Sequence, residues 1–413
     1  MTSVRTTWIV AAITLAACLR IYLLVTYADL ADPHLWEFGR IARNIVESGT
    51  FSYYTPGVPT AYIPPAYPLL IAGLYTLFGI GLTAHALLGA MLLLVEIAIP
   101  FLVAGVTVRI FGRRAGLVAL LSSLFWPRFL IISGRLHDVP ISMALLLLVF
   151  WLLLAPSGKG MKKAVLCGAT LGLLGNFRFE AILFSLPIGY YLHRVEARSL
   201  LATLRLVSVL LLSFAILMAP WTVRNYYTFD RFVLGTSGAY NLLRGHNENA
   251  SGTGRDAWPA AKIDPDRATP LPGDAFLDSL NYSVPADELA AGDRYFELAI
   301  RHMLDHPGRE LKLLGLKTYY FLCADFTHPT ARFWPIWLPS LAALLVGLQH
   351  WMRQGLGDPR QQILWMIFFL QMALMLLLFV LPRYRIAVDF VPVVFASSWL
   401  ANRPDLKHIR APK

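Results

Sequence analysis

The stretch Thr7–Asn44, TWIVAAITLAACLRIYLLVTYADLADPHLWEFGRIARN, decides the class of the fold. Its first part, 7–27, is apolar apart from Arg20 and is long enough as a helix to cross the roughly 30 Å hydrocarbon layer. Its second part, 32–44, gathers Asp32, His34, Glu37, Arg40, Arg43 and Asn44. A chain that is 57% hydrophobic and 15% charged concentrates charge this way where it leaves the bilayer. A mean hydropathy of +0.57 and 13% aromatic residues place the whole chain among polytopic membrane proteins and exclude a soluble globule. The first apolar run is too long for a signal-peptide core and lacks a small-residue cleavage site, so it is read as a retained helix. The net charge of +11 does not point to nucleic acid, because the basic residues fall in short loops between apolar runs.

Spans are predicted at 7–27, 83–108, 115–133, 139–155, 164–178, 181–193, 204–222, 335–351, 361–381 and 386–400, with the two short ones between 164 and 193 the weakest. The expected fold is an all-α polytopic bundle of about ten transmembrane helices, within a range of nine to twelve. Arg113 and Arg114, Lys159 with Lys162 and Lys163, Arg194 with Arg198 and Arg205, Arg353 with Arg360, and the tail RPDLKHIRAPK then share one side. That side is cytoplasmic by the positive-inside tendency, with both termini there. The run 66–79 is too short to span and would invert every later loop, so it is expected as a helix on the outer surface. Residues 1–222 form a membrane catalytic module whose first outer loop is 28–82; 223–334 form an extracytoplasmic cap; 335–413 hold the last spans and a cytoplasmic tail. No inverted halves of the transporter kind are visible.

Within the opening stretch, Asp32 followed by Pro33 reads as a helix start, with Ser48-Gly49 as its end. On that helix Leu35, Phe38, Ala42, Ile45 and Val46 share one face, and Glu37, Arg40, Asn44 and Glu47 another. This predicts an interfacial helix with its apolar side on lipid and Glu37 facing an outer cleft. Arg20 and Arg128 lie inside spans, where a charge must be paired, face a wet cavity or snorkel outward. His137 and Asp138, Arg178 and Glu180, Arg224, and Arg383 with Arg385 are all delivered to the same outer face. Three cysteines, Cys18, Cys167 and Cys323, are too scattered for a disulfide framework or a metal site.

WEFGRIARNIVESGTF at 36–51, PTAYIPPAYPLLIAGLYTLFG at 59–79, the SGRLHD turn at 133–138, APWTVRNYYTFDRFVLGTSGAYNLLRGHNENASG at 219–252, HPGRELKLLGLK at 306–317 and LPRYRIAVDFVPV at 381–393 together resemble the bacterial branch of the protein O-mannosyltransferases. That is glycosyltransferase family 39 of the GT-C class, which also holds the lipid A aminoarabinose transferases. The resemblance implies a polytopic hexosyl- or pentosyltransferase of the cell envelope that uses a polyprenyl-phosphate sugar at the outer membrane face. It further implies acids in the first and second outer loops, the first serving as base; by position these are Glu37 and Asp138. The sequence departs from the pattern at His34, where many relatives carry Asp, and at Asp138, where many carry Glu. Asp32 is the alternative base.

The chemistry suits the residues independently. An acceptor hydroxyl attacking C1 needs a carboxylate to take its proton, and the departing lipid phosphate needs preorganised cations. Direct displacement would invert the anomeric centre. Arg224, Arg383 and Arg385 are the expected phosphate ligands, with Arg178 and Arg20 behind them. His246, Asn247, Glu248, Tyr384 and His137 are expected to meet the sugar or acceptor hydroxyls. No cofactor is required and no metal site is read, though a divalent cation near Glu37 and Asp138 is left open. The partners are a polyprenyl-phosphate-linked donor, the bilayer of the inner or plasma membrane, and a glycan, lipid or protein acceptor. The alternative is a lipid or solute transporter or flippase.

Overall fold

The computed structural model describes residues 2–156, 160–197, 199–253, 282–326 and 329–403. Lys159, Arg198, the end of the GHNENASGTGRD run and the tail from Pro404 lie outside the described residues. Among those described, the regular structure is helical, with a single isolated bridge between Thr253 and Val380.

Among the described residues, four helices are long and apolar enough to cross a membrane: α1 (Thr2–Tyr27, apolar from Thr6), α4 (Leu82–Phe111), α10 (Leu200–Phe229) and α15 (Pro359–Leu377). The intervening helices are α2 (Trp36–Ser48), α3 (Ala66–Phe78), α5 (Arg113–Leu124), α6 (Pro127–Ile131), α7 (Val139–Leu153), α8 (Gly160–Gly175), α9 (Ser185–Tyr191), α11 (Ser237–Gly245), α12 (Pro285–Asp305), α13 (Pro307–Leu322) and α14 (Leu338–Gln354). The short α16 (Pro382–Ile386) and α17 (Phe390–Ala401) close the chain.

Several of the ten expected spans are not single straight helices. The run 115–133 is broken: α5 and the α6 segment through Gly134 meet at 41°. The cause is Pro127, whose ring excludes the preceding residue from α geometry, and Trp126 there is extended at ψ 119°. The expected span at 181–193 is likewise a 3₁₀ turn, the short α9 and a π turn at Leu192–Glu196. α3, α7 and α17 are apolar but shorter than a crossing requires.

A large core joins α4, α5, α7, α8, α10, α15 and α17. Within it α8 and α10 approach closely. A Cβ on Gly168 would sit 2.2 Å from the Leu210 carbonyl oxygen, and one on Gly172 2.7 Å from that of Phe214. The four-residue spacing puts both glycines on one side of α8, the small-residue seam by which helices pack where lipid offers no hydrophobic drive. A second core lies under the loop between α1 and α4, where α2 and α3 pack together. A third joins α11 to α12 in the expected cap.

Two features of α2 differ from expectation. It starts at Trp36 rather than Pro33, because Asp32 is held in a turn in which its amide meets the Asp29 carbonyl at 3.1 Å. Its end is as expected, with Gly49 left-handed at φ +69°. The apolar face lies on protein: Phe38 meets Tyr67 edge-on at 5.0 Å, and Ile41 and Ala42 are fully buried. Asn44, expected on the wet face, is buried and donates to the Ser52 carbonyl at 2.9 Å.

Candidate active site

The irregular ends of the helices build the site. The α1–α4 loop with α2, the turn before α7, the α8–α9 connection, α11 and the turn from α15 into α16 enclose a cavity of about 1450 Å³. Of the expected residues, Glu37, His137, Asp138, Arg178, Arg383 and Tyr384 line it, as does Asp32. A smaller cavity of about 300 Å³ adjoins it, and the two share Trp36, His137, Leu381 and Arg383. The smaller is walled by Ile131, Ile132, Val139, Ile336, Trp337 and Ile386 among others, with Arg128, Arg135 and Arg385 also on its lining.

Asp138 is not presented to the cavity as a free acid. It is 1% exposed, and Arg178 grips it with two bonds, Nε to Oδ2 at 2.8 Å and Nη2 to Oδ1 at 2.9 Å. His137 Nδ1 approaches the same carboxylate at 2.5 Å. Burial alone would raise the Asp138 carboxyl, but Arg178, His137 and Arg383 together hold it well below the usual carboxylate range. Burial pushes His137 down to about 4, with Arg383 and Arg178 adding to that against the pull of Asp138, so the imidazole is neutral. The pairing also removes Arg178 as a free phosphate ligand.

Glu37 stands differently. It lines the cavity, and among the described residues its carboxylate has neither a hydrogen bond nor an ion pair; Arg383 is within reach of its charge. Arg383 has its Nε buried without a bond and only a 3.5 Å contact from Nη2 to the Tyr384 hydroxyl. Burial opposes the Arg383 charge, yet Tyr384 and Glu37 raise its pKa on balance. Beside them Trp36 adopts φ +50°, rare for a bulky residue, with its ring edge-on to His34 at 4.6 Å and His137 at 4.9 Å.

The remaining expected residues serve other contacts. Arg224 lines neither cavity; it donates to the Thr60 carbonyl at 2.7 Å and to Asn225 Oδ1 at 2.9 Å, pinning the first loop to the end of α10. Arg20 is 1% exposed rather than snorkelling, bonded to the carbonyls of Ala16 at 3.2 Å and Leu124 at 2.9 Å, within reach of the Glu96 charge. Arg385 is 1% exposed, paired with Asp389 and bonded through Nε to the Phe321 carbonyl at 3.1 Å, so it backs the small cavity. His246 contacts Glu310 at 2.5 Å, Lys317 at 3.0 Å and the Leu377 carbonyl at 2.8 Å. Asn247 folds back on the carbonyls of Leu243 and Arg244, and Glu248 lies outside both linings.

Sequence reasoning passed over Arg135 and Arg244 and brought Glu180 to the outer face without giving it a role; all three line one of the cavities. Arg135 and Glu180 each sit two residues from one that was chosen, so their proximity was the available signal. No group of three or more His, Cys, Asp or Glu side chains among the described residues is arranged to hold a metal ion.

The fold has similar solved structures. Archaeal oligosaccharyltransferase AglB from Archaeoglobus fulgidus, in a structure with an inhibitory peptide and a dolichol phosphate, matches with a TM-score of 0.55 at 12% identity, over 96% of this chain and 50% of that one. The fold is GT-C. The A. fulgidus oligosaccharyltransferase tethered to an acceptor peptide gives 0.54 at 13% identity, over 97% and 50% of the two chains. ArnT from Cupriavidus metallidurans gives 0.43 at 18% identity, over 96% and 77%. The chain spans about half the length of the oligosaccharyltransferases it matches. No protein-family model matches the sequence, and no curated protein does. The GT-C fold thus rests on shape, and within it this chain's cavity is read from its own side chains.

Proposed function

We propose that the protein is a membrane glycosyltransferase that moves a sugar from a polyprenyl phosphate to a hydroxyl of a glycan, lipid or protein acceptor, at the extracytoplasmic face of the cell membrane. The observation that carries this reading is the meeting of two unlike cavities at Arg383. One is large, polar and supplied with the unpartnered Glu37, suited to a sugar and its acceptor. The other is small and mostly apolar, suited to the first isoprene units of a lipid. Arg383 sits where the phosphate joining the two would lie, and its guanidinium supplies fork-shaped donors for phosphate oxygens.

In this reading Glu37 takes the proton of the attacking hydroxyl and Arg383 receives the leaving phosphate. Direct displacement of this kind inverts C1. Arg178 and Asp138 form a buried strut that fixes His137 and the turn before α7. Both Asp138 oxygens face a guanidinium, so a divalent cation beside it would be opposed by that charge. The dolichol phosphate of the AglB structure is in keeping with this class of donor. A transporter is less well served, since an alternating-access pathway would use charge along the bundle, whereas Glu37 and Arg383 gather at one end.

The test is Glu37→Gln, which keeps size and hydrogen bonding but removes the basic oxygen. Turnover is expected to fall by roughly 10²–10⁴ while lipid-phosphate binding survives. Transfer at the parental rate by the purified variant would move the base to Asp32 or Glu180.

A further inference from the structure

The junction between the cavities holds a charge that the transfer scheme above leaves unused. Arg135 lines the small cavity beside Arg383, and among the described residues its guanidinium has neither a hydrogen bond nor an ion pair. Burial, and then the like charge of Arg383, act against its protonated form. Arg135 remains exposed and shares the lining of this cavity with Arg383, so their like charges oppose each other there and an anion held between them would relieve that opposition. The neighbouring charges are already matched. Arg178 is spent on Asp138, and Arg385 on Asp389. Arg128 and Asp325 enter the small cavity with one charge of each sign. The large cavity is also lined by Asp32, Glu180, Arg40 and Arg244, two charges of each sign, and Arg43 pairs with Glu47. What remains is Arg135, Arg383 and, within reach of the latter, Glu37.

We propose that Arg135 is a second phosphate ligand and that, with Arg383 and Glu37, it keeps the junction electrically neutral throughout the transfer. The inference rests on the donor reading above, and it adds a charge balance. Before transfer the sugar-linked phosphodiester carries one negative charge and ionised Glu37 another, against the two arginines. During transfer the acceptor oxygen bonds to C1, its proton passes to Glu37, and the C1–O bond to phosphate breaks with its electron pair on the phosphate oxygen. Afterwards Glu37 is neutral, the lipid monophosphate carries two negative charges, and the arginines still match them. A single arginine would leave the dianion half compensated. The second arginine therefore favours the separating charge more than the bound donor, which is what lowers a barrier.

The balance predicts that a dianionic phosphate competes with ionised Glu37. Binding of farnesyl monophosphate and of its monomethyl ester to the full chain in detergent, at pH 7.5, separates the cases. The ester keeps one charge, whereas the monophosphate carries nearly two above its second ionisation near pH 6. Glu37→Gln should bind the monophosphate about tenfold more tightly than the parent, and the ester about equally. Adding Arg135→Ala to Glu37→Gln should abolish that tightening, and Arg135→Lys, which keeps the charge, should retain it. Among the described residues the Arg135 side chain makes no hydrogen bond or ion pair, so its replacement is expected to leave the structure intact; the Lys variant guards against the alternative.

Tightening that persists in Glu37→Gln with Arg135→Ala would overturn the proposal, as would its absence from Glu37→Gln alone. Arg383→Ala tells the two levels apart. Loss of both probes there, with no effect of Arg135, sinks only the charge balance. Unchanged binding of both probes in Arg383→Ala would remove the donor site itself.

Discussion

At the scale of single residues, identical sequence signals resolve into different jobs. Arg224, Arg383 and Arg385 each sit at the end of an apolar run, and nothing in their neighbours separates a phosphate ligand from a pin. Partner geometry does: carbonyls of Thr60 and Phe51 claim Arg224, Asp389 claims Arg385, and Arg383 alone keeps a buried, unbonded Nε. Glu37 was legible because an acid on a helix otherwise packed by Phe38, Ile41 and Ala42 must point elsewhere. The pairing of Asp138 was not, since Arg178 lies forty residues away in sequence. That pairing has a pH signature. His137 has a folded pKa lowered to about 4, below its unfolded value near 6.5, so the unfolded chain binds more protons between these two. Its contribution is fully present above pH 6.5 and is lost as pH falls toward 4, by about 3 kcal/mol over the window. Asp138, also depressed, adds its loss below about pH 4. Thermal midpoints of the parent should therefore fall steeply from pH 6.5 to pH 4, and those of His137→Phe should be flatter across that window. Equal slopes would mean that His137 does not titrate with unfolding.

At the scale of elements, the sequence showed where apolar helices lie better than where they break. The end of α2 at Gly49 and the helix at 66–78 were readable from turn chemistry and length. The bend between α5 and α6 was also written in Pro127, yet a hydropathy window passes smoothly over it. The start of α2 was misplaced because Asp32 and Pro33 carry a proper cap signature that the turn at Asp29, φ +44°, overrides. The glycines of α8 show how an element depends on what it lacks. With the α10 backbone 2.2 Å from a Cβ at position 168, even alanine must push the helices apart. Gly168→Ala is expected to cost about 1–3 kcal/mol, the range of overpacked cores. Gly292→Ala, in a helix with open space at that position, should be neutral or stabilising by up to about 1 kcal/mol. Thermal denaturation of the two variants in detergent checks this, and equal midpoints would mean that the α8–α10 seam can widen without penalty.

At the scale of the whole molecule, three of the long helices agree on a direction that charge bias alone had suggested. α4 begins at the cavity, where His85 lines its wall, and runs 30 residues to the Arg113–Arg114 pair just beyond its end. α10 runs the other way, from Arg205 near its start to Arg224, which holds the first loop. α15 carries Arg360 in its first turn and delivers Leu374 and Met375 near its end to the cavity. A helix of 30 residues is roughly 45 Å long, so the cavity and the basic ends lie a full bilayer apart. Lys and Arg near span ends tend to stay on the cytoplasmic side, and on that tendency we propose that the cavity, α11, α12 and α13 lie outside. This polarity is independent of how many spans are counted, because α5 to α9 return between the same two levels. It is tested with single cysteines at the exposed Glu297 of α12 and Arg114 of α5, in a background where Cys18, Cys167 and Cys323 are replaced. A membrane-impermeant maleimide should label position 297 in intact cells and position 114 only after permeabilisation. Labelling at 114 with protection at 297 would invert the molecule, place the cavity in the cytoplasm, and leave a donor presented on the outer leaflet with no route to Arg383.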